Sequence, residues 1–237
     1  MFDFPVRPFT IAHRLPRFLS APLFGDRKRY GLKFTAADLS WQEWQTRYAE
    51  FYYSTQKEGV GQAVNNAGYR ITQKADFNGK SVLEVGPGDI QHLPFWFNNA
   101  TNRSQSPANF TIVDTRQAML DRSAQVLQDA GIPHKCKFTY RGDTLPFENN
   151  TFDVMLSFYT LEHICPLGPY LDEISRVMVP GGKIVGAIPA EGGLAWGLGR
   201  FLTSRRWLKK NTTIDPDKII CWEHPNFSDG ILQELEA

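Results

Sequence analysis

Ser81-Val82-Leu83-Glu84-Val85-Gly86-Pro87-Gly88-Asp89 is the stretch on which the fold turns. A short, mostly apolar run reads as a strand. It empties into two glycines two apart, which let the backbone turn tightly and come close to a ligand at the N-terminus of a following helix. Outward from it the same alternation repeats. Residues 90–98 read as a short helix, 110–113 as a strand, and 117–130 as a helix stopped by Gly131-Ile132-Pro133. Then come strands at 137–140 and 152–158, a helix at 170–178 ended by Pro180-Gly181-Gly182, and a strand at 183–188. Strand and helix in turn predict an α/β fold, a doubly wound and mostly parallel sheet with right-handed crossovers on both faces. Ligands of such sheets bind beyond the carboxyl ends of the strands, at the switch point.

The flanks have a different texture. Residues 1–37 carry Pro5, Pro8, Pro16 and Pro22 among many arginines, a density that forbids a long helix. They predict an arm draped over the body, or one whose arginines bind a surface. Within 38–76, Trp41, Trp44, Tyr48 and Phe51 fall on one helical face, and Val60, Val64, Ala67 and Ile71 continue into a second helix. The aromatic stripe is either core packing or a lid. The remaining residues, 77–237, form the ligand-binding domain.

Composition sets the bounds. The chain has 237 residues, 42% of them hydrophobic and 22% charged, which is ordinary globular usage. A net charge of +1 argues against a nucleic-acid partner. Cys136, Cys165 and Cys221 are far apart and lack C-x-x-C spacing, so neither a disulfide framework nor a cysteine metal site is expected, and the natural compartment is the cytoplasm. No apolar run approaches the roughly 20 residues of a membrane span, and without a positively charged stretch followed by an apolar one at its start no secretory signal is expected.

The residues that follow each strand carry the chemistry. Gln91 stands where the dinucleotide fingerprint needs a third glycine, which disfavours NAD. Asp114 follows the second strand, further on than the usual ~20 residues, with the polar stretch 101–109 accounting for the excess. A carboxylate there can accept from both hydroxyls of a ribose. Gly142-Asp143-Thr144-Leu145-Pro146 follows the third strand, and Ser157-Phe158 ends the fourth. Together, VLEVGPGD, Asp114, GDTLPFENNTFDVMLSFYTLEHI and EISRVMVPGGKIVGAIP resemble the class I S-adenosylmethionine-dependent methyltransferases, in the branch acting on small molecules and lipids.

The resemblance implies a Rossmann-like sheet with S-adenosyl-L-methionine as cofactor. Gly86, Pro87 and Gly88 would pass its methionine end, with Glu84 bracing the loop or meeting the amino group. Asp114 and Thr115 would lie at the ribose, Asp143 and Thr144 at the adenine, and Ser157 and Phe158 beside the sulfonium. The sequence departs from the family by Ile90 in place of a further glycine, and by ending at Ala237 with a helix at 226–235 but no final pair of strands. The sheet is therefore expected to lack its last two strands, leaving an edge that invites a homodimer.

Methyl transfer is an in-line displacement that needs mainly positioning, and an oxygen acceptor of high pKa adds a need for a base. His163 and Glu162, after the fourth strand, are the candidates for that role, with Glu191 and His224 around the same mouth as acceptor-side residues. No further metal-ligand spacing is visible, so no metal is expected. The stretch 191–210 sets Leu194, Leu198, Phe201, Leu202 and Leu208 against Arg200, Arg205, Arg206, Lys209 and Lys210. A basic amphipathic stretch suits an anionic sugar or lipid-linked acceptor, met by Arg205 and Arg206, or peripheral contact with a membrane surface. The competing reading is a non-catalytic methyltransferase-like scaffold.

Overall fold

The computed structural model describes residues 9–56, 59–97, 106–140 and 144–237. In chain order they form α1 (Arg17–Phe24), α2 (Arg27–Tyr30), α3 (Leu39–Gln56), α4 (Gly59–Tyr69), β1 (Ser81–Val85), α5 (Leu93–Trp96), β2 (Asn109–Asp114) and α6 (Gln117–Asp129). There follow β3 (His134–Phe138), β4 (Phe152–Phe158), α7 (Leu167–Val177), β5 (Met178–Ala187), α8 (Leu194–Leu202), α9 (Ser204–Asn211), α10 (Pro216–Glu223) and α11 (Ser228–Glu236). They gather into two compact units, a sheet unit drawn from 64–161 and 168–188 and a helical unit drawn from 1–63, 162–167 and 189–237. The sequence reading cut the chain at 37 and 76. The helical unit is assembled from three separate segments, and its core joins residues far apart in the chain.

In the sheet unit the strand order is β3-β2-β1-β4-β5, every pair parallel. The order reverses between β1 and β4, where Val82 faces Val154 and Glu84 faces Leu156. Because side chains alternate along a strand, each strand feeds two cores. Val82, Phe110, Ile112, Val154 and Leu156 pack with Leu93, Trp96, Leu120 and Leu127. Leu83, Val85, Val113 and Met155 pack with Ile174 and Val177 of α7. A parallel sheet covered on both faces is the arrangement that the near-continuous apolar runs demand.

Two boundaries differ from the sequence reading. β3 covers 134–138 rather than 137–140, since this outer strand keeps most of its side chains exposed and so carries no apolar signal. β5 begins at Met178 and runs through Pro180-Gly181-Gly182, which read as a helix stop. Proline is accommodated there because β5 is an edge strand and its register against β4 shifts between Phe152 and Val154. β5 is the last strand among the described residues, and helices follow it.

In the helical unit Trp41, Trp44 and Phe51 of α3 are buried with Leu208, Ile214, Ile219, Cys221 and Trp222, so the aromatic stripe is core. The N-terminal segment forms short helices, as its prolines require. Pro16 sits at the N-cap of α1, and the Ile11 and Ala12 amides donate to the Gly192 carbonyl at 2.9 and 3.1 Å. Phe24 then packs with Ala12 and Phe227. No described helix is long and apolar enough to cross a membrane.

Candidate functional site

The glycine turn is fixed by contacts from every side. Gly86 and Gly88 have φ of +64° and +58°, a region that glycine enters without cost. A Cβ on Gly86 would come within 2.5 Å of Thr160, whose hydroxyl donates to the Gly86 carbonyl at 3.2 Å. The Ser123 hydroxyl of α6 donates to the Gly88 carbonyl at 2.7 Å. Ile90 and Tyr159, on either side of the switch point, also take positive φ, of 49° and 55°. Such conformations in non-glycine residues persist only where the surroundings enforce them, and they gather at ligand clamps.

Glu84 is buried beneath this turn. Trp96 Nε1 donates to His92 Nδ1 at 2.8 Å, which places the imidazole proton on Nε2, and Nε2 in turn donates to Glu84 Oε1 at 2.8 Å. The other carboxylate oxygen, Oε2, is buried without a hydrogen-bond partner, and so is Ser157 Oγ on the neighbouring strand β4. Buried polar atoms left unpaired are costly unless something fills the need. Because side chains alternate along a strand, the two lie on opposite faces of the sheet, and it is Glu84 Oε2, on the face shared with His92 and Phe158, that fits a ligand bearing a donor such as an amino group. The sequence reading missed His92 and Trp96. Their spacing of four along one helical turn was the signal that could have found them.

The remaining cofactor candidates lie along the same strand ends. Asp114 closes β2, its Oδ1 accepting from the Arg116 amide at 2.8 Å, with Thr115 half-buried in the turn. Burial, then the charge of Asp114, raises the Tyr170 phenol above its ordinary range. Phe158 lies over His92, ring centroids 4.9 Å apart. Thr144 is exposed, and the loop after it is held by Arg176, which donates to the Leu145 and Phe147 carbonyls. Asp143 lies outside the described residues.

A second polar cluster lies wholly within the helical unit. It brings together Glu162, His163, Glu191 and His224, and adds Glu223 and Arg200, which the sequence reading did not combine with them. Glu191 is fully buried and accepts from Arg200 Nη1 at 3.0 Å and Trp196 Nε1 at 2.8 Å, with His224 Nδ1 at ion-pair distance, 2.8 Å. Burial alone would raise its carboxyl. Arg200 and then His224 overcome that and hold it well below the usual carboxylate range. Burial pushes Glu162 up to about 7, with His163 opposing, and burial with Arg200 pushes His224 down to about 4. His163 Nδ1 donates to the Glu223 carbonyl at 2.5 Å, and Trp44 Nε1 donates to Glu223 Oε1 at 2.6 Å.

Of the acceptor-side expectations, Glu191 is thus part of an internal framework. Arg205 is too, being buried with both terminal nitrogens 2.6 Å from Asp217. Its charge is used within the unit, unlike the anion-facing role expected of it. Arg206, Lys209 and Lys210 are exposed. So are Leu194, Leu198, Phe201 and Leu202 of α8.

Residues 83–186 match a family model described as a methyltransferase domain. The chain is 32% identical over 120 residues to a probable phthiotriol/phenolphthiotriol dimycocerosates methyltransferase 2 of Mycobacterium ulcerans, covering 49% of this chain and 42% of that protein. It is 27% identical over 173 residues to a malonyl-[acyl-carrier protein] O-methyltransferase of Alcanivorax borkumensis, covering 67% and 57%. It thus spans about half the length of these two relatives. Among solved structures it is similar to a SAM-dependent methyltransferase from Aquifex aeolicus, at 16% identity and a TM-score of 0.46, covering 66% of this chain and 86% of that one.

Proposed function

We propose, from the match of residues 83–186 to a methyltransferase-domain family and the class I S-adenosylmethionine-dependent pattern of their sequence, that this chain transfers a methyl group to a small-molecule or lipid-linked acceptor. The observation that carries the reading is the unpartnered buried oxygen Glu84 Oε2 at the carboxyl end of β1, beside a glycine turn whose Gly86 has no room for a Cβ. When bound, S-adenosylmethionine supplies an electrophilic methyl on a sulfonium sulfur. The protein's task is then mostly to hold and orient, which supplies about 7–11 kcal/mol in well-aligned reactions. Glu84, oriented by His92 and Trp96, accepts from the amino group, while Gly86, Pro87 and Gly88 give the methionine end a close backbone wall. Asp114 and Thr115 hold the ribose, Thr144 and Asp143 serve the adenine, and Ser157 and Phe158 border the reacting sulfur. His163 and Glu162 are the residues proposed to handle a proton where the acceptor must lose one.

Calorimetric titration with S-adenosylhomocysteine tests the cofactor assignment. A charge-assisted hydrogen bond contributes roughly 1.5–3 kcal/mol, so Asp114→Ala weakens binding by about 10- to 100-fold. Equal affinity in wild type and variant would remove Asp114 from the site, and no binding by the wild type would favour a scaffold.

The acceptor class is read from α8 and α9. Exposed Leu194, Leu198, Phe201 and Leu202 beside exposed Arg206, Lys209 and Lys210 combine an apolar face with a cationic one, the pairing that rests on anionic interfaces. The malonyl-acyl carrier and dimycocerosate relatives, named for anionic or lipid acceptors, support the same class. Each basic residue near an anionic surface contributes about 1 kcal/mol. Replacing Arg206, Lys209 and Lys210 by glutamine therefore lowers partition onto phosphatidylglycerol vesicles by roughly 100-fold. Sedimentation equal to the wild type, or equal on phosphatidylcholine, would count against this face.

A further inference from the structure

We propose that Glu162, His163 and His224 form a binding site for a divalent transition-metal ion, with zinc the best match to two imidazoles and a carboxylate. One donor atom from each residue lies within 4.8 Å of the other two. Bonds of about 2.0–2.2 Å at the tetrahedral angle set neighbouring donors about 3.4 Å apart. His163 Nε2 and Glu162 Oε1 already stand 3.7 Å apart, so closure on an ion needs only small side-chain rotations. Glu162 Oε2 is buried with no hydrogen-bond partner, a donor oxygen with nothing yet to bind.

The surroundings of the two histidines carry the argument further. A metal-binding imidazole presents one nitrogen to the ion and donates the other N–H to a carboxylate or carbonyl, which fixes the tautomer and raises basicity. His163 is held in this way, and His224 Nδ1 stands within ion-pair distance of a second buried glutamate. His163 Nδ1 faces the Glu223 carbonyl at 2.5 Å and Glu223 Oε2 at 3.2 Å, and Trp44 secures that glutamate. His224 Nδ1 lies 2.8 Å from Glu191 Oε1, and Trp196 and Arg200 secure that glutamate. With the proton on His163 Nδ1, its Nε2 is the lone-pair end, and His224 offers one ring nitrogen within the same 4.8 Å group. The two rings lie 4.6 Å apart, close enough to share one ion. The backbone ties the halves together, since the Asn226 side chain donates to the Ile164 carbonyl at 2.6 Å. The sequence reading expected no metal here, because the third ligand is 61 positions along the chain from His163. Three protein donors leave a fourth tetrahedral position for water or another ligand.

The inference does not depend on methyl transfer, it is an alternative to the proton-handling role proposed for Glu162 and His163, whose lone pairs the ion would occupy, and its test needs no cofactor. Untagged, chelator-treated full-length protein is titrated with Zn²⁺, with Mg²⁺ in parallel, and with Co²⁺ for its absorption spectrum. One zinc per chain is expected, with little response to magnesium and an intense tetrahedral cobalt spectrum. Glu162→Gln and His224→Gln each lower zinc affinity by about 100-fold, and Trp44→Phe, acting through Glu223, by about 10-fold. His13→Ala, in the exposed His13–Asp229 pair, leaves affinity unchanged. Zinc also raises the melting temperature of the wild type by mass action, and this gain disappears in Glu162→Gln. If a histidine variant fails to fold, Glu162→Gln and the wild-type cobalt spectrum decide. Absence of one tight zinc per wild-type chain overturns the proposal. So does a pale octahedral cobalt spectrum, which marks an adventitious surface ion, or equal affinity in Glu162→Gln.

Discussion

Arg200→Ala lowers the stability of the helical unit by about 3–5 kcal/mol, measured by chemical denaturation in the presence of a chelator. Glu191 has no solvent exposure, and Arg200 has little. The guanidinium meets both carboxylate oxygens, the short contact being Nη2 to Oε1 and the longer Nη1 to Oε2 at 3.0 Å. Removing one partner of a buried pair leaves the other charge without water and without a counter-ion, which costs far more than the pair itself contributes. Glu191 also anchors the turn into α11 through its backbone, since the Ser228 amide and hydroxyl donate to its carbonyl at 3.1 and 2.9 Å. The damage therefore spreads from a side chain to a helix start. Arg206→Ala, at an exposed position, shifts stability by no more than about 0.5 kcal/mol. Replacing Glu191 and Arg200 together by methionine costs less than the sum of the single changes, as a double-mutant cycle would read. All tryptophans except Trp96 belong to the helical unit, so intrinsic fluorescence reports its unfolding. Loss of less than about 1 kcal/mol in Arg200→Ala would mean that water already reaches the pair.

That pair also shows where sequence reading stops. The sheet was legible because its information is local. β1, β2 and β4 are apolar runs, the glycine turn announces itself by composition, and Asp114 stands where a strand ends. β3 was misplaced because an outer strand with exposed side chains has no apolar period to read. β5 was cut short because Pro180-Gly181-Gly182 normally stops a chain element, and only the register shift against β4 reveals that it is tolerated. The helical unit was the least legible part. Its aromatic stripe predicted a buried face but could not say that the partners were Leu208, Ile219 and Trp222, residues beyond the whole sheet in the chain. Arg205 read as a cation for an acceptor because charge is visible in sequence and its partner Asp217 is not. Glu162, His163 and His224 were placed around one mouth as proton-handling and acceptor-side candidates, but not as a metal site, because the spacing of His224 from the other two carries no ligand signal.

Gly186→Ala has the largest expected effect in the sheet unit, a loss above about 4 kcal/mol together with loss of S-adenosylhomocysteine binding. A Cβ at Gly186 would lie 1.9 Å from the Ser157 carbonyl oxygen and 2.9 Å from its carbon. The obstacle is backbone, so no rotamer change relieves it, and Ser157 and Gly186 are direct partners in the β4–β5 ladder. Relief requires the two strands to separate along a register running to Phe158 and Ala187. A glycine inside a strand often marks such close approach. Gly181→Ala isolates the alternative cause. Gly181 has φ +80° with nothing within 4 Å of its added Cβ, so its cost is conformational alone, about 1–2 kcal/mol. Gly186 carries no such strain, and its cost is steric alone. If the loss were a general intolerance of β5 to alanine, the two variants would melt alike and bind alike. If it arises from the Ser157 contact, Gly186→Ala loses binding while Gly181→Ala keeps it, because Ser157 and Phe158 close the carboxyl end of β4, where the cofactor is proposed to bind, and are displaced only when that contact is forced open.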